Sequence, residues 1–549
     1  RLKSPAPAAR PTAVEAAARL RWIRDAPKRR LRRLAAAAAL AAAVLGGVKY
    51  TLDLRHERGI AVAARADAER RRDQAEDLIQ FMLGDLRGRL EPVGRLDALD
   101  GVADKALDYF ASMGDEQLTD ADLFRRSRAL TQIGEVRVAQ GDLAAAERSL
   151  DEAHALAVDL VRRRPEEGEW LMGLGAIEFW LGNVHWLQGD LAAAEDRFRA
   201  YLEVAERLVG IDGGKPEWRL ELAYAHSNLG TVQQVRGDLE EALEHFRLTV
   251  EAKRELVRAD PGNGNWQKEL ASSLSWLGET LLGEGELTEA GDQYRAGLDI
   301  LQRLVEREPE NAQYRYLLAI AHNKVGLVLE MLGATEDAVR ELERSLALDR
   351  QLAELDPGNA DWQRELAVAH QRLGRALAWR DAAAGLPHLR RAADRLARLS
   401  SADASNTERR LDVVGARVDL ARALAAAGQE AAAVAEGEAA LQTLAASAAA
   451  DGEDRRQKAL EGEALAVTGQ ALAAAGRRGE ASAAWGRAVG ALAPLAEGSR
   501  DPRLLAPLAL VLTRLGRDEQ ARPVLETLEA AGYRRHDLES ARRQRLATA

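Results

Sequence analysis

At 549 residues the chain is longer than one compact hydrophobic core supports. Aromatic residues make up only 4% and there are 15 prolines, whereas Ala, Leu, Glu and Arg abound, which is the usage of packed helices rather than sheets. The net charge of −10 is uneven: residues 1–33 carry +9 and the acidic remainder argues against nucleic acid as a partner, while the absence of cysteine excludes disulfides, thiol catalysis and cysteine-based metal sites.

Residues 1–33 read as a basic tether, with Pro5, Pro7, Pro11 and Pro27 interrupting it and one short helix expected around Val14–Arg24. Lys28, Arg29, Arg30, Arg32 and Arg33 are followed by fifteen uncharged residues, Leu34 to Val48. Three readings fit this run: a membrane span over 34–52, a cleaved signal segment, or an Ala-rich helix of a soluble domain. The span is preferred because Leu31, Leu52 and Leu54 extend the apolar stretch and the flanking cations can snorkel. Eight Lys/Arg lie in residues 19–33 against three in 49–63, so the positive-inside bias places the N-terminus in the cytoplasm and the downstream chain outside it. Residues 53–117 are expected to be linker helices. The first is long and reaches about Arg87, with Leu78, Ile79, Phe81, Met82, Leu83 and Leu86 as its apolar end; a turn at Pro92–Gly94 and a helix ending near Tyr109–Phe110 come after it. The chain starts at Arg1, which suggests a piece of a longer protein.

From about residue 118 the sequence repeats. Trp170, Trp218, Trp266, Tyr314 and Trp362 are spaced by 48 residues, and so are Gly134, Gly182, Gly230, Gly278, Gly326 and Gly374. A second glycine series, Gly141, Gly189, Gly237, Gly285 and Gly333, keeps the interval, as do Ala146, Ala194, Ala242, Ala290 and Ala338. A fixed period of this size predicts stacked units, each burying its apolar face only against its neighbours. In the unit starting at Trp218, helix A is expected to reach Arg236, Gly237–Asp238 to turn the chain, and helix B to run from Leu239 to about Ala259. Asp260–Pro261–Gly262–Asn263 then breaks the chain, and the quartet recurs at Asp356–Pro357–Gly358–Asn359. Asp381, Gly428, Gly476 and Gly516 continue the turn series, giving nine units: a regular array over 118–400 (units 1–6) and a divergent, Ala-rich array over 401–549 (units 7–9).

The order Leu229–Gly230, Gly237, Ala242 and Phe246 resembles the tetratricopeptide repeat family, with helices longer than the family's usual unit. The fold expected is therefore an all-α solenoid of helical hairpins. The glycine of helix A and the alanine of helix B would permit close approach, and Phe198, Phe246 and Tyr294, with Leu150 and Leu342 in flanking copies, would fill the space between that pair and the next. In this family helix A lines a concave groove. The inward positions carried over are Ala176, Phe179, Asn183 and Trp186 in unit 2, and Tyr224, Ser227, Thr231 and Gln234 in unit 3. Units 4–6 give Ser272, Ser275, Glu279, Ile320, Asn323, Glu330, Gln371 and Arg375. Aromatics interleaved with amides suit an extended or helical peptide.

His226, His322 and His370 share one helix-A position a whole repeat or more apart, so they read as packing rather than as metal ligands, and no cofactor is implied. No metalloprotease, calcium-loop, phosphate-loop or kinase signature is present, and enzyme activity is not expected within these residues. Lys49–Arg55, Ala75–Leu86 and Leu90–Asp97 resemble the segment joining the membrane helix to the repeats in bacterial transmembrane serine/threonine protein kinases. That likeness implies a signalling protein whose catalytic domain lies upstream of Arg1, this chain being its sensor or interaction half with a protein or peptide as ligand. A soluble cytoplasmic scaffold is the remaining alternative.

Overall fold

The computed structural model of the protein describes residues 11–83, 105, 119–403, 406–451, 455–536 and 538; side chains at 65, 68, 69, 71–83 and 448–451 are outside that description. The chain divides into two units, Arg1–Leu118 and Thr119–Ala549. The expected turn at Pro92–Gly94, the helix ending near Tyr109–Phe110 and Leu86 lie outside the described residues.

In the first unit, helix α1 spans Ala13–Arg24 and opens with a reciprocal cap: Thr12 accepts from the Glu15 amide, and the Glu15 carboxylate accepts from that of Thr12. Helix α2, Ala26–Leu83, is one continuous element through the basic flank, the uncharged run and the expected linker. Nothing breaks it because Gly46, Gly47 and Gly59 are its only helix-weakening residues after Pro27, and Pro27 sits in the first turn, where no amide hydrogen bond is lost. Its Ala26–Ala64 part is long and apolar enough to cross a membrane and is unburied within the protein.

The second unit is a tetratricopeptide-type solenoid. Its helices pair as hairpins: α3 and α4 (Asp120–Gln140, Leu143–Arg163), α5 and α6 (Gly168–Gln188, Leu191–Ile211), α7 and α8 (Pro216–Arg236, Leu239–Ala259), α9 and α10 (Gly264–Gly283, Leu287–Arg307), α11 and α12 (Ala312–Met331, Thr335–Leu355) and α13 and α14 (Ala360–Ala378, Ala382–Ala402). The divergent hairpins are α15 and α16 (Thr407–Ala426, Glu430–Asp451), α17 and α18 (Arg455–Ala474, Arg478–Ala496) and α19 and α20 (Pro502–Arg514, Asp518–Ala530). There is no strand among the described residues.

The local chemistry is repeated with the period. Gly141, Gly189, Gly237, Gly285 and Gly333 all adopt positive φ, between 78° and 91°, ending helix A in the left-handed turn that glycine accepts without a Cβ penalty. Asp381, at the equivalent place, cannot use that turn cheaply. It is extended and instead caps α14 by accepting from the Ala383 amide at 2.9 Å. The recurrent quartet divides its labour: Asp260 accepts from the Gly262 amide and Asn263 caps α9 through the Trp266 amide at 3.1 Å, and Asp356 and Asn359 do the same one period pair later. The 48-residue aromatics reach back across the unit boundary. A Cβ on Gly168 would meet the Trp218 ring at 2.5 Å, and one on Gly264 would meet the Tyr314 hydroxyl at 2.9 Å.

Within each of the six regular hairpins, one bulky side chain of helix B lies on the glycine of helix A. A Cβ at Gly134, Gly182, Gly278, Gly326 or Gly374 would fall within 2.8 Å of Leu150, Phe198, Tyr294, Leu342 or Leu389, respectively; at Gly230 it would lie 3.1 Å from Phe246. Phe198, Phe246, Tyr294 and Leu342 belong at the same time to apolar clusters with helix A of the following unit: Phe198 with Leu229 and Val232, and Leu342 with Leu366 and Leu373. Ala146, Ala194, Ala242, Ala290 and Ala338 are fully buried beside them. The repeated histidines pack there too: His226 faces His245 and His370 faces His388, each pair with Nδ1 atoms 3.0 Å apart, while His322 Nδ1 lies 2.7 Å from Glu341. Each His–His contact needs one neutral ring as acceptor, and burial, reinforced by the neighbouring histidine, pushes His226 and His370 down to about 4.

This packing sets two measurable outcomes. Gly182→Ala should destabilise the α5–α6 hairpin by about 1–3 kcal/mol, because the added carbon overlaps a ring with no room to retreat, and denaturant unfolding measures it. The His226 and His370 values lie below the ordinary histidine value, so the unfolded chain binds more protons and stability falls as pH drops from about 6.5 toward 4. Unfolding at pH 5 should then show a loss of roughly 1–2 kcal/mol per pair against pH 7.5, flattened by His226→Asn and His370→Asn; equal stability at the two pH values would contradict it.

Candidate interaction groove

Helices A carry every residue assigned to the groove, and their environment changes along the stack. In unit 2, Phe179 stands edge-on to Trp180 at 5.2 Å between ring centroids and packs near Phe198 and Tyr201. Trp186 is half-buried against Phe198 and its neighbours, and Asn183 is half-buried one turn before it. In unit 3, Tyr224 lies under the Lys253 ammonium, 5.1 Å from its centroid, and burial, with Glu269 and Glu221 nearby, pushes its hydroxyl up to about 12. Thr231 donates back to the Ser227 carbonyl at 2.9 Å, and Gln234 donates to Thr280 of the next unit at 3.0 Å. These side chains remain part-exposed on the wall.

Between α9 and α11 the wall opens into a cavity of about 310 Å³, in the range of small-ligand pockets. It brings together Ser275 and Glu279 with Ser272 and Ile320, all assigned from the repeat register. Its floor is apolar, with Tyr294, Leu301 and Leu317, and its rim holds Trp276, 49% exposed, and Lys324. Trp276 and Lys324 were not assigned to the groove by the family positions. They nevertheless occupy one register place, as does Arg372 one period further on.

Glu279 closes the cavity at one end. Burial alone would raise its carboxyl, but the Lys324 ammonium and the Arg503 guanidinium overcome that and hold it well below the usual carboxylate range. The Tyr294 hydroxyl also donates to it at 3.2 Å, and burial, then the Glu279 charge, keeps that phenol neutral far above its ordinary value. Arg503 belongs to α19, so this carboxylate joins unit 4 to the last hairpin.

In units 5 and 6 two of the assigned residues, Asn323 and Glu330, turn inward. Asn323 and Glu330 are buried, at 3% and 2% exposure, and therefore do not meet solvent. Glu330 accepts from Arg375, at 3.1 Å and 3.2 Å, and from the Trp379 indole at 3.0 Å. Gln371 donates to Asp419 of unit 7 at 2.8 Å. The structure thus gathers Ser275 and Glu279 in one cavity, leaves Phe179, Asn183, Trp186, Tyr224, Ser227, Thr231 and Gln234 along an adjoining stretch of wall, buries Asn323 with its side-chain oxygen unpaired among the described residues, and engages Glu330, Gln371 and Arg375 in contacts within the protein. Among the described residues no group of three or more His, Asp or Glu is placed to hold a metal ion.

No protein-family model matches this chain, and no curated protein is similar to it in sequence. Solved structures similar to it include the apo form of RapI, over 77% of this chain and 99% of that one at 12% identity (TM-score 0.49). A Rap protein complexed with competence and sporulation factor matches over 77% and 100% at 14% identity (TM-score 0.38). A tetratricopeptide repeat protein from Parabacteroides merdae matches over 62% and 98% at 15% identity (TM-score 0.33).

Proposed function

We propose that the chain is the interaction half of a membrane-anchored signalling protein, whose repeats bind a peptide or an extended segment of another protein. The supporting observation is the cavity between α9 and α11: an apolar floor, an exposed Trp276 and a charged end at Lys324 and Glu279. Such a cavity suits one apolar anchor side chain, while the amides and hydroxyls of Asn183, Ser227, Thr231 and Gln234 along the adjoining wall suit the hydrogen-bonding groups of a peptide backbone. The anchor is the 34–52 part of α2, with the basic flank on the cytoplasmic side and the repeats outside the cytoplasm. The likeness of the flanking segments to bacterial transmembrane serine/threonine kinases makes an upstream kinase domain the effector of this reading.

A displayed peptide library panned on the detergent-solubilised chain tests the groove. Enriched peptides should share an apolar anchor residue and lose at least about tenfold in affinity on Trp276→Ala or Ile320→Asp, the loss typical of a central anchor. Peptides that bind these variants as tightly as the native chain would exclude the cavity as the docking site.

A further inference from the structure

The solenoid curls far enough for its last hairpin to meet the fourth and fifth. One buried apolar cluster contains Leu281, Leu282, Leu329 and Met331 of helices A together with Leu505, Leu528 and Tyr533. The Arg534 amide donates to the Met331 carbonyl at 2.8 Å, and Arg503 pairs with Glu279. The fit is close at two of the left-handed turns: a Cβ on Gly285 would lie 2.9 Å from the Arg500 carbonyl oxygen, and one on Gly333 would lie 3.0 Å from the Arg534 side chain. On unit 6, His536 stacks on Trp379 with centroids 6.4 Å apart, and the Arg535 guanidinium lies 5.5 Å from the same ring.

We propose that residues 500–536 act as a detachable clasp, a segment of this chain docked on the helix-A ends of units 4–6 that closes the superhelix on itself. Every other contact in a solenoid joins neighbours, so this one can break without unpairing any hairpin. The contact spans 224 residues of chain between Glu279 and Arg503. The last hairpin is also the lightest: α19 and α20 have 13 residues each, and each contains a proline, Pro507 and Pro523, that removes a helical hydrogen bond. The docked surface carries its own complementarity, since Glu279 offers a half-buried negative charge to Arg503 and Trp379 offers a ring face to Arg535. Because Glu279 also forms the charged end of the cavity, an open clasp exposes the helix-A ends and frees one of that carboxylate's partners. The clasp stands apart from the peptide-binding reading and does not require it.

Arg503→Glu in the full chain tests this, because it sets a carboxylate against Glu279 and Asp501. Hydrogen exchange should become at least about tenfold faster for the Arg534 amide and for residues 281–286 and 329–334, with α3–α8 unchanged. A second variant keeps the test independent of folding. Arg503→Gln removes the charge that pairs with Glu279 without setting a second carboxylate beside it, and should speed exchange at the same amides while leaving α3–α8 unchanged. Unchanged exchange in Arg503→Glu would overturn the proposal. So would loss of protection extending through α3–α8, or unchanged exchange of the Arg534 amide in Arg503→Gln.

Discussion

The structure depends on one contact made over and over: a bulky side chain of helix B resting on a glycine of helix A. At Gly182, Gly278 and Gly326 the neighbouring Phe198, Tyr294 and Leu342 approach so closely that even a methyl group would overlap them. That approach fixes the distance and crossing of each hairpin. Because the sequence repeats it every 48 residues, each unit meets the next in the same way. The curvature is then the accumulated consequence of one local geometry, and it carries α19 and α20 round to α9 and α11.

Charge obeys the same logic. The wall of helices A buries several carboxylates, and the residues that satisfy them come from other units. Glu279 takes Lys324 from the next unit and Arg503 from the last, and Glu330 takes Arg375 and Trp379 from the next. Burying a carboxylate without such partners would be costly, so each pair ties the register of one hairpin to that of another. Between α9 and α11 the wall is left open, and the exposed Trp276 stands beside the cavity in which Ser275 and Glu279 meet.

Much of this was legible in the residues. The 48-residue interval gave the hairpins, the positive-φ glycines gave their turns, and Asp260 and Asn263 marked the break between units, because each is a local requirement of backbone geometry. Asp381 continued the turn series by position, but nothing in the register showed that an extended, capping conformation would stand there in place of the left-handed turn. The register put Ser275 and Glu279 four residues apart on one helix, and both line the cavity, but it did not show the inward turn of Asn323 and Glu330. Whether a helix-A position faces solvent depends on what the next units bring to it, and Arg375 and Trp379 lie 45 and 49 residues away. The approach of Arg503 to Glu279 was beyond reach for a stronger reason. It is set by the summed rotation of all the intervening hairpins, a quantity no single residue encodes.

If strict phase between identical hairpins holds the repeats together, the chain should tolerate loss of one whole period and not of half. Deleting residues 192–239 removes one period, 48 residues, and rejoins helix B of one unit to the equivalent point of the next. The account predicts a folded chain one hairpin shorter, with undiminished helical circular dichroism per residue and protected amides in α9–α18. Deleting residues 192–215, half that length, should abolish the protection of the hairpins around the join. A chain that unfolds on the 48-residue deletion, or that tolerates both deletions alike, would contradict it.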